Sequence, residues 1–500
     1  MKVDGGNMSD KETKSENSTQ LTSENILDAN DRITYNKSFV KKAINNNTLL
    51  IDINNVVWIR TNSTGDQILK LIDEERLIGD IIQNISKIYR VPEALIKEDV
   101  DSFILDCYRK NVISARGKNA SSDLIKSTND RLNKVYINVT EKCNLNCPYC
   151  YNSGPNIGLN ELSTEEWIQT LRQIDEMCVS TVIFTGGEPL LRKDLFDIIK
   201  SVEFKNIKII GLITNGTCIT NDNIDNICDS FDIIQIALDG VNKDTHELSR
   251  GKGSYSKVIN SISLLKNAIE SKKIKQVLLS MTVFKENKHE IRDMVRFAYS
   301  NKFDLSFFNV LRIGSAANPV KLNWLDNDEY MQVISEAYDE YIKITTEDLY
   351  RGKNINFYIR PSNIKYGSIF LKRPIRNCGL GIKELSIGSD GTVYPCRGLK
   401  LPELSIGNIR DTDIISLYKL SSERFKNINV NSITDCSKCD VKYFCGGGCR
   451  IFGYMNGDAY GMDPNCRLYK SSIYSSMICK NKPLKDIVDT TVQIYKNNMI

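Results

Sequence analysis

Strand patterns and helix patterns alternate from residue 132 to about 315, and few folds accommodate such an alternation. Strand-like apolar runs fall near 135–139, 180–184, 207–213, 232–238, 275–283 and 304–310. Helical patterns fill the gaps near 163–177, 192–202, 220–228, 254–271 and 287–301. Ser163 with Glu166 three residues on marks the start of the first helix as a capping box. Six βα units predict a parallel sheet curled into a barrel. Eight strands close a TIM barrel, so six predict an open, partial (β/α)6 barrel of the α/β class, with one side free for a large substrate.

In βα barrels the chemistry sits at the C-terminal ends of the strands. Cys143-x3-Cys147-x2-Cys150 follows the first strand and Gly186-Gly187-Glu188-Pro189 the second. Thr214-Asn215-Gly216 follows the third and Asp239-Gly240 the fourth, so four loops converge on one rim. Three thiolates can hold three irons of a [4Fe–4S] cubane and leave the fourth open to a small molecule. Structural zinc normally takes four protein ligands in paired C-x-x-C spacing, which the triplet does not offer. The glycine pair lets backbone approach a ligand, and Glu188 offers a carboxylate or a carbonyl to an ammonium group. A lone Gly-Gly-Glu-Pro is an ordinary turn; one strand after this cysteine loop it reads as part of a site.

Fifteen cysteines accompany only two histidines, His246 and His289. The N-terminal residues lack the apolar core of a signal peptide, and no apolar run reaches membrane-spanning length. A cytoplasmic location follows, where thiols stay reduced, and the cysteines point to metal. Chemistry built on histidine bases is disfavoured. With 66 basic and 62 acidic residues the net charge is +4, giving no footprint for nucleic acid or an acidic membrane. A second constellation places Cys378, Cys396, Cys436, Cys439, Cys445, Cys449 and Cys466 near the C-terminus, with Gly446 to Gly448 between two of them. A zinc ribbon is the plain alternative there.

The remaining segments divide the chain. Residues 1–34 are polar and read as a mobile tail. Residues 35–115 give two or three short strands, including LLIDINNVVWI, and then helices over Asp66–Ile72, Leu77–Tyr89 and Asp99–Lys110, a winged-helix-like order. From Asn36 to Arg116 there are 12 Lys/Arg and 11 Asp/Glu, so a DNA-binding face lacks its basic footprint. A polar linker over 116–131 leads to the barrel at 132–330. A bridging helical region is expected at 331–370, the second cysteine domain at 371–482 and a C-terminal tail at 483–500.

The triplet, the Gly-Gly-Glu-Pro loop and NVLRIGSA together resemble the radical S-adenosylmethionine (SAM) family over roughly 132–330. The resemblance implies that Cys143, Cys147 and Cys150 ligate a cluster whose open iron chelates the methionine end of SAM. Reductive cleavage of SAM then yields a 5′-deoxyadenosyl radical that abstracts hydrogen. By the same resemblance Tyr149 lies against the adenine, Gly186, Gly187 and Glu188 receive the methionine ammonium, Asn215 and the loop after the fourth strand line the ribose side, and Arg250 meets the SAM carboxylate or else forms a surface salt bridge. The C-terminal spacing resembles the SPASM domain, which implies two auxiliary [4Fe–4S] clusters, three clusters in all. Cys378, Cys396 and Cys449 would hold the first, Cys436, Cys439, Cys445 and Cys466 the second. The first then shows three ligands only: Glu384 stands near the place of a further Cys in sulfatase-maturating relatives, leaving an open iron for a substrate thiolate or a place for Cys479. Those relatives carry a catalytic Asp where this chain has Arg397. The N-terminal unit, through TNSTGDQILKLID, IIQNISKIYRVP and DVDSFILDCYRKNVI, resembles the PqqD-like precursor-recognition domain, where a leader peptide adds as a strand. The joint expectation is a radical SAM/SPASM peptide maturase of the sactipeptide or ranthipeptide type, joining a Cys sulfur to carbon. Its partners would be a precursor peptide and an electron donor such as flavodoxin or ferredoxin, with no nucleic acid and no membrane. Carbon–carbon or ether crosslinking, epimerisation and sulfatase-type oxidation are the enzymatic alternatives; a zinc-stapled binding protein is the other.

Overall fold

Alternation within short strands decides how the N-terminal unit is built. The computed structural model describes residues 27–45, 47–115, 131–152, 160–317, 322–366, 368–371, 373–455 and 459–497. Strands β1 (Ile33–Tyr35), β2 (Val40–Ile44), β3 (Asn47–Asp52) and β4 (Val57–Thr61) precede helices Ser63–Asp73, Ile78–Tyr89 and Glu93–Arg109, and β5 (Ile113–Ala115) follows them. Strands β2, β3 and β4 form an antiparallel meander, while β5 pairs back onto β1. Adjacent residues of a strand point to opposite faces. Leu50 therefore joins Ile68, Ile72, Ile81, Ile85 and Ile104 of the unit's own helices. Leu49 and Ile51 face the other way, into a core shared with Val430, Phe444, Ile473 and Met477 of the C-terminal domain. Most of the segment expected as a linker, 116–130, lies outside the described residues, as do residues 1–26 of the expected tail.

The six predicted strands all form, as β6 (Lys134–Thr140), β7 (Thr181–Gly186), β8 (Ile209–Thr214), β9 (Ile233–Ala237), β10 (Gln276–Val283) and β11 (Asp304–Asn309), parallel and in sequence order. Val135, Ile137, Phe184, Leu212, Ile234, Leu279 and Phe307 from these strands share one core with Trp167 and Leu171 of the first barrel helix. The capping box is in place: Ser163 Oγ accepts from Glu166 N and the Glu166 carboxylate accepts from Ser163 N. The sheet does not stop at six strands. β12 (Ile359–Pro361) extends it beyond β11, and β13 (Glu384–Ile387) joins β6 in parallel, followed by antiparallel β14 (Thr392–Tyr394) and β15 (Gly407–Asn408). An open sheet leaves unpaired N–H and C=O groups along its edges, and chain from outside the six βα units covers both. These added strands are two to four residues long, too short for periodicity to reveal.

Between β11 and β12 runs a 24-residue helix, Asn327–Tyr350, capped by Asp326 and Glu329. The stretch expected as a C-terminal tail contains helix Leu484–Lys496, packed on helix Cys466–Ile478 through Val488, Thr491 and Ile494. The Ser475 and Thr491 hydroxyls meet at 2.5 Å between these two helices.

Met477, fully buried, lies in the core that joins the N-terminal meander to the C-terminal domain. Met477→Ala should cost about 2–5 kcal/mol and loosen that junction. Hydrogen exchange of β2 to β4 should accelerate while that of β6 to β9 stays unchanged.

Candidate active site

The loop after β6 is shaped by backbone contact before any side chain enters. Gly187 N donates to Thr140 O at 2.9 Å and Glu188 N to Lys142 O at 2.8 Å, so the second rim loop lies directly on the cysteine loop. A Cβ on Gly187 would stand 2.2 Å from Lys142 O, and one on Gly186, at φ +144°, 2.2 Å from Thr140 O. Only glycine fits both positions. Gly314, in the exit loop after β11, closes the other side: its Cβ would meet Cys150 O at 2.5 Å, and Ser315 N donates to that oxygen at 2.9 Å. Arg192, just past the Gly-Gly-Glu-Pro turn, donates to Val139 O and Leu162 O and holds the end of β6.

Cys143, Cys147 and Cys150 are half-buried in this frame, and their thiols act on one another electrostatically. Burial pushes Cys147 up to about 11, with Arg250 opposing, and raises Cys143 as well. Buried thiols are hard to ionise without a cation, and a bound metal inverts that logic by taking them as thiolates. Among the described residues no three His, Cys, Asp or Glu side chains converge tightly enough for a single metal ion. A cubane places each thiolate on a different iron, so the donor set fits a cluster better than one zinc ion.

The expected SAM-contacting residues form two hydrogen-bonded groups. In the first, fully buried Glu188 accepts from Thr214 Oγ1 and Asn215 N, both at 2.7 Å, and from Leu190 N. Burial lifts its carboxyl to about 7 against those bonds. Asn215 Nδ2 donates to Asn144 Oδ1 at 2.9 Å and approaches Cys143 Sγ at 3.9 Å. Cys218 also lies here, 3.6 Å from Asn144 Nδ2.

The second group centres on Asp239. Arg250 Nε donates to Asp239 Oδ2 at 2.6 Å and Nη2 to Oδ1 at 3.3 Å, Ser249 Oγ adds a bond at 2.8 Å, and Tyr149 donates its phenol proton to the same carboxylate. Burial alone would raise Asp239, but Arg250 and these donors hold it below its usual range. The Arg250 guanidinium stacks 5.3 Å from the Tyr149 ring centroid, and Phe284 lies on that ring at 6.3 Å. Arg250, expected on the SAM carboxylate, is thus already paired. Asp239 Oδ1 also accepts from Thr282 N of β10, and Asp239 N donates to His246 Nδ1. Sequence reading put the Asp239–Gly240 loop on the rim but gave no role to the Asp239 side chain or to His246. The signal was the HELSR run over residues 246–250, which forms helix Lys243–Arg250 and carries His246, Ser249 and Arg250 on one short helix.

The C-terminal cysteines fall into two groups. Cys378, Cys396 and Cys449 line one cavity of about 260 Å³ together with Glu384, Arg450 and Tyr469. Cys436, Cys439, Cys445 and Cys466 act on one another, with Lys470 beside Cys439 and Cys466. Burial pushes Cys449 and Cys466 up to about 12 and Cys436 to about 11, the same environment as in the barrel loop. Cys479 sits elsewhere, buried against Thr490 Oγ1 at 3.2 Å, and does not line the cavity. Arg397 stands over the Tyr136 ring at 5.1 Å, within electrostatic reach of Tyr151, Cys396 and Glu384. Burial would depress it, but these neighbours hold its charge. Lys400 reaches the cysteine loop of the barrel, donating to Asn152 Oδ1 at 2.7 Å and pairing with Glu141 at 3.4 Å.

Barrel, rim loops and cysteine groups define an enzyme that works through iron–sulfur chemistry. Family models agree: the radical SAM superfamily matches residues 137–298, the coenzyme PQQ synthesis protein D family 47–113, and an iron–sulfur cluster-binding (SPASM) domain 378–440. The chain thus carries a radical SAM domain together with PqqD and SPASM domains. An AdoMet-dependent heme synthase of Oleidesulfovibrio alaskensis is 28% identical over 350 residues, covering 66% of this chain and 85% of that one. The antilisterial bacteriocin subtilosin biosynthesis protein AlbA of Bacillus subtilis is 27% identical over 364 residues, 70% of this chain and 72% of its own. Streptococcus suis SuiB bound to S-adenosylmethionine superposes with a TM-score of 0.55 at 16% identity, covering 87% of this chain and 99% of that one. SuiB bound to the precursor peptide SuiA gives 0.52 at 17% over the same shares. At such identities the likeness to SuiB establishes the fold.

Two predictions follow from the geometry. Gly187→Ala should displace the cysteine loop, and the purified protein should lose the same share of iron and visible absorbance that Cys143→Ala with Cys147→Ala and Cys150→Ala removes. His246 is fully buried and lowered to about 4, chiefly by burial. The unfolded chain therefore binds a proton between pH 6.5 and 4 that the folded chain does not, and stability falls as pH drops through that window. The loss should reach about 3 kcal/mol, and His246→Gln should flatten that part of a plot of Tm against pH.

Proposed function

We propose that this chain modifies a ribosomally made precursor peptide, abstracting hydrogen from a core residue and joining a Cys sulfur to carbon as a thioether. The observation that carries the reading is the cavity lined by Cys378, Cys396 and Cys449, with Glu384 and Cys445 of the other group also on its wall. The match to PqqD over 47–113 supports a peptide partner, as does the likeness to AlbA. The N-terminal meander rests on the C-terminal domain through a common core, which would hold a captured leader near the C-terminal cysteines. Strand addition along an outer edge of the meander would be the mode of capture.

A SAM-bearing cluster, when present, supplies a 5′-deoxyadenosyl radical that takes hydrogen from an unactivated C–H bond. Cys143, Cys147 and Cys150 would ligate that cluster. Cys378, Cys396 and Cys449 would ligate a first auxiliary cluster, and Cys436, Cys439, Cys445 and Cys466 a second. Because the Glu188 carboxylate is bound within the protein, the SAM ammonium would fall to the backbone oxygens of the Gly186–Glu188 turn. Tyr149 and Asn215 would line the nucleoside, and Arg250, held on Asp239, would position Tyr149. A guanidinium takes no proton near neutral pH, so Arg397 cannot serve as the base that an Asp provides in sulfatase-maturating relatives, which disfavours alcohol oxidation. A flavodoxin or ferredoxin would supply the electron that cleaves SAM, and the auxiliary clusters would carry off the electron released when sulfur and carbon join.

The test is mass spectrometry of a Cys-containing precursor, encoded beside this chain and co-expressed with it anaerobically. The precursor should lose two hydrogens per modified Cys, one from sulfur and one from carbon, and that Cys its reactivity to alkylation; Cys143→Ala with Cys147→Ala and Cys150→Ala should abolish both changes. Equal modification of a Cys-free precursor would rule out the thioether.

A further inference from the structure

We infer that Glu384 is the fourth ligand of the cluster held by Cys378, Cys396 and Cys449, and that its carboxylate is the group a substrate thiolate displaces. The inference rests on the cluster reading of those three cysteines, and its second half on the proposed thioether chemistry. A cubane has four irons and this cavity offers three cysteines of its own. Cys445 also borders the cavity, but it acts on Cys436, Cys439 and Cys466 and belongs with them. Cys479 is remote. Asp463, behind Cys449, is spent on Cys449 N at 2.7 Å, Asn465 and Tyr469. Glu384 lines the cavity and interacts with the Cys396 thiol. Among the described residues no ion pair engages its carboxylate, although Arg397 lies near enough to feel its charge.

The placement is built into the backbone. Gly379 at φ +98° and Gly381 at φ +66° turn the chain back after Cys378, and Lys383 N closes the turn on Gly379 O at 2.8 Å. Glu384 then opens β13, beside Lys134 of β6. It is thereby delivered to the cavity that Cys378 enters from the other side of the turn. Thiolate is the softer donor and the better match to cluster iron. In the exchange the Fe–O bond to Glu384 breaks and an Fe–S bond to the substrate forms. One anion replaces another and no electron moves, so the peptide sulfur is delivered to iron without a redox step.

The experiment uses the full chain with Cys143→Ala, Cys147→Ala and Cys150→Ala, leaving only the C-terminal clusters, and 2-mercaptoethanol as the thiol probe. In this background the thiol should shift the electron paramagnetic resonance spectrum of one reduced cluster. Adding Glu384→Cys should retain the iron, lower that cluster's midpoint potential and remove the response to thiol. Adding Glu384→Gln should change the spectrum before any thiol is present. Unchanged spectra and potentials in both variants would overturn the ligation. So would equal loss of iron from both, since cysteine is a competent cluster ligand and would rescue a true ligand position. A precursor left unmodified by the unsubstituted enzyme would sink the thioether reading while leaving these spectra, and the ligation, intact.

Discussion

Everything at the rim depends on backbone lying against backbone where the loop after β7 meets the loop after β6. The N–H groups of Gly187 and Glu188 satisfy the carbonyls of Thr140 and Lys142, and the missing side chains of Gly186 and Gly187 make that approach possible. A hydrogen-bonded contact of this kind fixes the cysteine loop without using any cysteine. Gly314 does the same from the far end of the barrel, so the three thiols are presented by a frame stitched at both ends. Preorganisation of this sort lets a cluster bind without also having to order its loop.

Charge is handled by a parallel division of labour. Asp239 gathers Arg250, Tyr149 and Ser249 and ties them to β10 through Thr282 N, while Glu188 gathers the loops after β7 and β8. Each buried carboxylate is surrounded by donors, as buried charge requires. The side chains of this rim are thus held by partners within the protein.

How much of this was legible in the sequence depended on the length and chemistry of each element. The six barrel strands span five to eight residues each and announced themselves through apolar runs, and the Ser163–Glu166 box through two residues at fixed spacing. The cysteines and the glycine pair were legible because few other residues can do what they do. What escaped was set by contacts distant in sequence. β12 and β13 are short segments that become strands only because β11 and β6 offer free edges. The helix Leu484–Lys496 was read as a tail because its apolar positions matter only against helix Cys466–Ile478. Arg250 was assigned to a ligand because its partner Asp239 lies eleven residues back, on a different element.

The pairing of β13 with β6 has a mechanical meaning. Glu384 opens one strand and Lys134 the next, in parallel register, and the second strand runs directly into the loop of Cys143. The barrel mouth and the cysteine-rich domain are therefore mounted on adjoining rods of a single sheet. Their spacing is set by peptide geometry, much as the jaws of a caliper are set by its beam. Loops around the opening can vary while the distance between the two cysteine sites keeps its length.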